Sequence, residues 1–523
     1  MDVKIFLTVS ILVSTATALL FEPDPCPDDN HCTCAGFSVT CKEGGLNDVP
    51  VFTVTGLRYT LLDLSNNNIS TIPSAAFSSI TTTTIDLSHN PLQTVANDAF
   101  QGAEATVANL QLEDCGLTEV PNAVAMLTRL KTLNLRHNPL ITTLPGGVLA
   151  SVGLTLETLD FSNTGIRLWP KSLTASIRLK KLLSSGNHLT SIPDDAFLTF
   201  APTLDYLDIS YNAFRSFPDA VNNLRVLKYL DLSFNLFGTI PVGKFTYCRH
   251  TLQTLYLVHV FLREIPPGLR DLSALQNLYL SYNPIASAAA DVFHGRISTS
   301  LKVLHMDKTL LSSVPTALHY LTALKELNIT WNRIQYLDNY VIDLPGLEVL
   351  YLDKNPIVNV KFAAFSGLPA LKQLYMRNTS LAFVPNAALA QAKSLLLVDL
   401  SFNHFEALYD YGFPGMSGLH QLVLAGNPLS NISDNALADL TGVTTLDLEN
   451  CLLTGIPKAV QQMHALRTIK VEGNSINCTC DNLAWVEIWR ANSGLIAKVE
   501  GNCAGNDTVA IQYFIDNDGR SCS

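Results

Sequence analysis

The sequence predicts an α/β solenoid, a horseshoe with a parallel, concave β-sheet of about 18 repeats and a disulfide cap at both ends. Three observations predict it. The phrase LxxLxLxxNxL returns every 23 to 26 residues, in eighteen copies that start at residues 59, 82, 107, 130, 156, 179, 204, 227, 252, 275, 301, 324, 347, 371, 395, 419, 443 and 466. Cysteines cluster in fours before and after that array. The composition, 47% hydrophobic and 15% charged over 523 residues, fits a continuous buried core. Units of this length cannot bury an apolar face alone and must stack.

Residues 1–18 read as a secretory signal, with Lys4 as a weak positive region, Ile5 to Ala16 as the apolar stretch and Ala16-Thr17-Ala18 as a small-residue cleavage site. No later segment is apolar and long enough to span a bilayer, so the chain as written reads as secreted. The segment 19–56 carries Cys26, Cys32, Cys34 and Cys41, and the segment 474–523 carries Cys478, Cys480, Cys503 and Cys522. In an oxidising compartment each group of four reads as two disulfides, with three connectivities open to each. Counting alone also admits a zinc site; the secretory signal argues against it.

Residues 57–473 form the array. In each unit LxL predicts a short strand with its apolar side chains inward and the intervening positions on the opposite face. The returning segments, such as ISTIPSAAF, are bulkier than a strand, which bends the stack with the sheet inside. Position nine is usually Asn (Asn67, Asn90, Asn138, Asn187, Asn212, Asn235, Asn283, Asn332, Asn355, Asn403, Asn427, Asn474), placed to satisfy loop amides of adjacent turns. Val260 cannot do this, so repeat nine is an expected irregularity. Cys115 and Cys451 also fall at position nine, and Cys248 falls where Phe200 and Val152 sit in neighbouring units, so all three read as buried free thiols. Between residues 82 and 301 longer and shorter units alternate, the shorter ones carrying Pro121, Pro170, Pro218, Pro266 or Pro315; the rule lapses near residue 324, where a kink or boundary is to be sought.

The flank CPDDNHCTCAGFSVTCKEGGLNDVP (26–50) resembles the cysteine-rich N-terminal cap of extracellular leucine-rich repeat proteins, and NSINCTCDNLAWVEIW (474–489), with Cys503 and Cys522, resembles their C-terminal cap. The class includes Slit-like, Toll-like-receptor and matrix leucine-rich repeat proteins. The resemblance implies the pairings Cys26–Cys34, Cys32–Cys41, Cys478–Cys503 and Cys480–Cys522. Trp485 and Trp489, four residues apart, are placed to cover the core of the last repeat.

Six N-x-S/T sequons, at Asn68, Asn328, Asn378, Asn431, Asn477 and Asn506, predict a glycoprotein. Asn328 falls at position five of repeat twelve, on the concave sheet. Aromatic residues gather on the same face in repeats seven to fourteen: Tyr206, Tyr211, Tyr229, Phe234, Tyr256, Tyr279, Tyr282, Trp331, Tyr351 and Tyr375, with His259 and His305. Large rigid rings on such a scaffold are the usual currency of protein recognition. They are also ordinary versions of the repeat, able to stack along a sheet. The acidic column Asp63, Asp86, Asp160, Asp208 and Asp231 reads mainly as repeat grammar. The formal charge of −11, without a dense basic block, argues against nucleic acid.

No catalytic motif is present, and no metal or cofactor site is expected; DNDG (516–519) lacks most of a calcium loop and reads as a turn. The expectation is a secreted, non-catalytic recognition protein that binds an extracellular protein ligand or receptor on its concave face, in innate immunity or cell signalling. The alternatives are a matrix or adhesion protein acting by self-association, as a homodimer, or a receptor ectodomain whose membrane span lies beyond Ser523.

Overall fold

A computed structural model describes residues 31–52, 58–493 and 498–517. The signal segment, Cys26 and Cys522 lie outside the described residues. The chain divides into two compact units, one of residues up to 117 with 121–134, the other of residues 118–120 with 135 onward.

Each of the eighteen repeats contributes one short strand, built from positions three to five. The first unit opens on an antiparallel hairpin, Thr33–Ala35 with Ser38–Thr40, and continues in parallel through Leu61–Asp63, Thr84–Asp86, Asn109–Gln111 and Thr132–Asn134. Val39, Leu62, Ile85, Leu110 and Leu133 are successive register partners, and all are fully buried. Ser38–Thr40 is thus the first rung, and the hairpin covers what would be an open sheet edge. A disulfide from Cys32 to Cys41 ties it down.

The second unit holds the fourteen repeat strands from Thr158–Asp160 to Thr468–Lys470, and a closing strand, Lys498–Glu500, pairs with the last of them. The helix Cys480–Ser493 leads into that strand, with Trp489 buried and Trp485 half-buried. Cys478 is bonded to Cys503. Cys34 and Cys480 are disulfide-bonded as well. Strand register runs unbroken past residue 324, from Val303 to Glu326 to Val349, so the lapse in repeat length leaves no break in the sheet there.

The asparagine ladder explains the preference for Asn at position nine. Asn235 is typical: its Nδ2 donates to Ile209 O of the previous repeat and to Leu232 O of its own, while its Oδ1 accepts Phe214 N. Three backbone groups that the turn buries away from water are satisfied by one side chain. Cys115 and Cys451 substitute partially, with Sγ donating to Leu87 O and Leu424 O. Repeat nine, expected to be irregular, keeps its strand in register with both neighbours. Val260 has no amide to give, so its own carbonyl accepts Gly238 N and its N–H is taken by Asn283 Oδ1, one repeat on. Cys115, Cys248 and Cys451 form no disulfide and are buried, and burial pushes their thiols up to about 12, 12 and 11.

Repeat length shows on the return side. The shorter units carry 3-10 turns, Asn122–Met126, Lys171–Ala175, Asp219–Asn223, Pro267–Asp271 and Thr316–Tyr320, each entered through its proline, whose fixed φ suits a helix start. Other units instead pair two-residue strands, such as Tyr336–Leu337 with Asn359–Val360. Among the described residues no helix is long and apolar enough to cross a membrane.

Candidate ligand-binding face

Two rows of side chains run along the solvent side of the sheet in the second unit. The inner row stands on the strands. Tyr206 stacks on Tyr229 with centroids 3.9 Å apart; Tyr229 leans on Tyr256 at 5.5 Å; Tyr256 stacks on Tyr279 at 4.1 Å; Tyr279 meets His305 edge-on at 4.9 Å. His305 closes the row with Nε2 2.9 Å from Glu326 Oε1. Tyr351 and Tyr375 stack at 4.7 Å as a separate pair, because Asn328 occupies the rung between His305 and Tyr351. Burial within the row raises the phenols of Tyr206, Tyr229, Tyr256, Tyr351 and Tyr375, so they stand as neutral hydroxyls.

The outer row stands on position eight, where the chain leaves the strand. Here the backbone is left-handed in all eighteen repeats, from Asn66 (φ 55°) through Tyr211 (50°), Tyr282 (59°) and Trp331 (55°) to Gly473 (73°). That conformation lets the N–H of position eight reach the neighbouring repeat, as Tyr211 N reaches Ser233 O at 2.8 Å. It costs an ordinary residue about 1–2 kcal/mol and is easiest for Gly, Asn and Asp. The first six repeats comply with Asn66, His89, Asp114, His137, Asn163 and Gly186. The next four carry Tyr211, Phe234, His259 and Tyr282, and Trp331 and Phe402 follow. Tyr211, Tyr282, Trp331 and Phe402 are 54%, 45%, 50% and 48% exposed, so core burial does not select them. Neither does backbone preference.

Tyr211 stacks on Phe234 at 4.1 Å, Phe234 contacts His259 at 5.4 Å, and His259 contacts Tyr282 at 6.5 Å. Trp331 stands apart from these rings. Lys308 Nζ lies 4.4 Å from the Tyr282 centroid and 5.5 Å from that of Trp331, and Lys354 Nζ lies 4.3 Å from Trp331. The face therefore runs from rings into cation-capped rings.

The acidic column has a local role. Asp63, Asp208 and Asp399 each accept both the backbone N–H and the hydroxyl of the serine two residues on, and Asp86, Asp160 and Asp231 accept the same N–H. This is Asx-turn chemistry. Asp231 is buried enough to be pushed up to about 6, with Asp208 nearby adding to the shift.

The structure gathers Tyr206, Tyr229, Tyr256 and Tyr279 into one row and Tyr211, Phe234, His259 and Tyr282 into the other. It leaves Trp331 and the Tyr351–Tyr375 pair beyond a gap. Sequence reasoning missed Phe402, although its SFN phrase matches that of Phe234, and missed Phe261, whose ring lies 4.9 Å from His259. Of the sequon asparagines, Asn68, Asn378, Asn431 and Asn477 are exposed, Asn328 is half-buried, and Asn506 begins the strand Asn506–Ala510.

A parallel ladder with an asparagine ladder beside it defines a leucine-rich repeat solenoid. Family models of that class match: "Leucine rich repeat" over residues 177–237, 273–334, 345–405, 393–453 and 417–476, and "BspA type Leucine rich repeat region (6 copies)" over 58–180. The chain belongs to the leucine-rich repeat proteins.

It is similar to CD180 antigen of Mus musculus, 24% identical over 183 residues, which are 34% of this chain and 27% of that protein. Nephrocan of Mus musculus is 28% identical over 180 residues, 34% of each chain. The chain thus spans about a third of the length of these relatives. The same fold occurs in the solved structure of the Toll–Spatzle complex of Drosophila, with a TM-score of 0.65 and 17% identity over 87% of this chain and 67% of that one.

Proposed function

We propose that this chain is a secreted, non-catalytic recognition glycoprotein that binds an extracellular protein ligand on the sheet face of repeats seven to fourteen, in innate immunity or cell signalling. The observation that carries this reading is the outer row. Tyr211, Phe234 and Tyr282 occupy left-handed positions that Asn, Asp, His or Gly fill in the first six repeats, and Tyr211 and Tyr282 are about half exposed. Rings held at a conformational cost without core burial make sense as a contact surface, since they bring large area at low entropic cost. The inner row, locked by mutual stacking, lies beside them as a pre-organised floor. The fold shared with Toll, solved in complex with Spatzle, is in keeping with ligand recognition as the class of activity.

The test is affinity capture of extracellular proteins by the purified chain and by a Tyr256→Ala/Tyr279→Ala/Tyr282→Ala variant whose melting is checked first. A partner held by the parent and lost by the folded variant is the expected result. Equal capture by both overturns the assignment and moves the site to another surface.

A further inference from the structure

The inner row has one missing layer, and the residue in that layer is a sequon asparagine. Asn328 pairs in register with His305 on one side and Tyr351 on the other. Its neighbours beyond are rings in contact: Tyr279 on His305, and Tyr375 on Tyr351 at 4.7 Å and 12°. Strands lie about 4.8 Å apart, so the layer at Asn328 is one ring thick. Among the described residues no aromatic ring covers the face of Tyr351 that looks toward Asn328.

The amide of Asn328 is already oriented. Its Oδ1 accepts Thr330 N at 3.0 Å, as Asp231 accepts Ser233 N in the same turn position, and its Nδ2 makes no hydrogen bond among the described residues. By contrast the Nδ2 of Asn68 is engaged with Asn47 Oδ1 at 2.7 Å. Asn328-Ile329-Thr330 is an acceptor sequence.

We propose that Asn328 carries an N-linked glycan whose first sugar ring fills this layer, stacked on Tyr351, so that the chain's own glycan narrows the ligand face given above from repeats seven to fourteen to repeats seven to eleven. The inference rests on the secretory reading above. In the reaction the amide nitrogen attacks the anomeric carbon of a lipid-linked oligosaccharide diphosphate, a donor of the secretory pathway. An N–C bond forms, the C–O bond to the diphosphate breaks, and the amide proton leaves with the released diphosphate. The sugar begins where the short asparagine amide ends, at the height of the neighbouring phenol rings. Its apolar C–H face then meets the electron-rich face of Tyr351. Tyr351 and Tyr375 become a platform for the glycan, and the rings from Tyr206 to His305, with Tyr211 to Tyr282 beside them, remain for the ligand.

The test uses the full chain secreted from insect cells. Glycopeptide mass spectrometry reads occupancy at Asn68, Asn328, Asn378, Asn431, Asn477 and Asn506. Peptide N-glycosidase then releases glycans from the native protein, with a Tyr351→Leu variant alongside to keep side-chain volume without a ring. We expect Asn328 to be occupied and its glycan to be released roughly threefold to tenfold more slowly than that of Asn378, the ratio set by a contact of aromatic-pair strength. In Tyr351→Leu the two rates should converge. A bare Asn328 beside other occupied sequons overturns the inference and leaves the secretory reading standing. Occupied Asn328 with equal release in parent and variant overturns the stacking. No glycan at any sequon overturns both readings together.

Discussion

The Oδ1 of Asn283 accepts the backbone N–H of Val260, one repeat earlier, at 3.0 Å, while also accepting Leu262 N at 3.0 Å. Its Nδ2 donates to Leu257 O and Leu280 O. One side chain therefore serves a repeat that lacks its own amide. Asn427 does less, accepting Phe405 N at 3.3 Å and donating to Leu400 O and Leu424 O.

Asn283→Ala should accordingly be the more damaging of the two. Leaving several buried backbone groups unpaired costs on the order of 3–5 kcal/mol, against roughly 1 kcal/mol less for Asn427→Ala. Denaturant midpoints of the two variants decide it, and equal midpoints would show that Val260 draws nothing from its neighbour.

Asp231 gives a pH prediction with a definite sign. Its folded pKa, about 6, lies above the ordinary aspartate value of 3.8. The fold then binds more protons than the unfolded chain between those values, so this group's contribution is full below about pH 4 and is lost as pH rises through about 6. Asn can replace it as a turn cap, as Asn328 already does. Asp231→Asn, produced in a host without N-glycosylation because the change creates an Asn-Leu-Ser sequon, should raise stability at pH 7.5 by on the order of 1 kcal/mol over the parent from the same host and do little at pH 4. Melting temperatures at the two pH values check this; a variant less stable at pH 7.5 refutes it.

The thiols of Cys115, Cys248 and Cys451 should be silent toward an aromatic disulfide reagent at pH 8 in the native protein and react together in denaturant. Burial raises all three well above that pH, and only the thiolate attacks. A thiol that titrates without denaturant would place that cysteine at the surface.

Trp331→Asn should change stability by less than about 1 kcal/mol, although it removes a very large side chain. The lost cation–π contacts with Lys308 and Lys354 are offset by easier left-handed backbone. A larger loss of stability would make the indole structural.

The strands were legible in the sequence because their period is two and a one-residue slip would expose every leucine. Position nine was legible for a related reason: only a carboxamide both donates and accepts toward three backbone groups. Position eight was half-legible. Asn66, Asp114, Asn163 and Gly186 are the residues that tolerate a positive φ, yet the rings that follow them obscure the signal. That Asn283 serves two repeats was expected from its position, but the added contact to Val260 N, 23 residues away, becomes visible only once the stack exists. The gap at Asn328 emerged likewise from register, not from composition. The pairings of Cys32 with Cys41 and Cys478 with Cys503 were implied by resemblance alone; spacing left them open.

Because every repeat imposes the same left-handed corner whatever side chain stands on it, the outer row can be rewritten one letter at a time. A substitution there changes what the surface displays and leaves the scaffold beneath unaltered. Duplication of a two-repeat cassette would slide the whole display by two rungs while keeping its spacing. Such a chain can diversify its specificity quickly under selection, with most trial variants still able to fold.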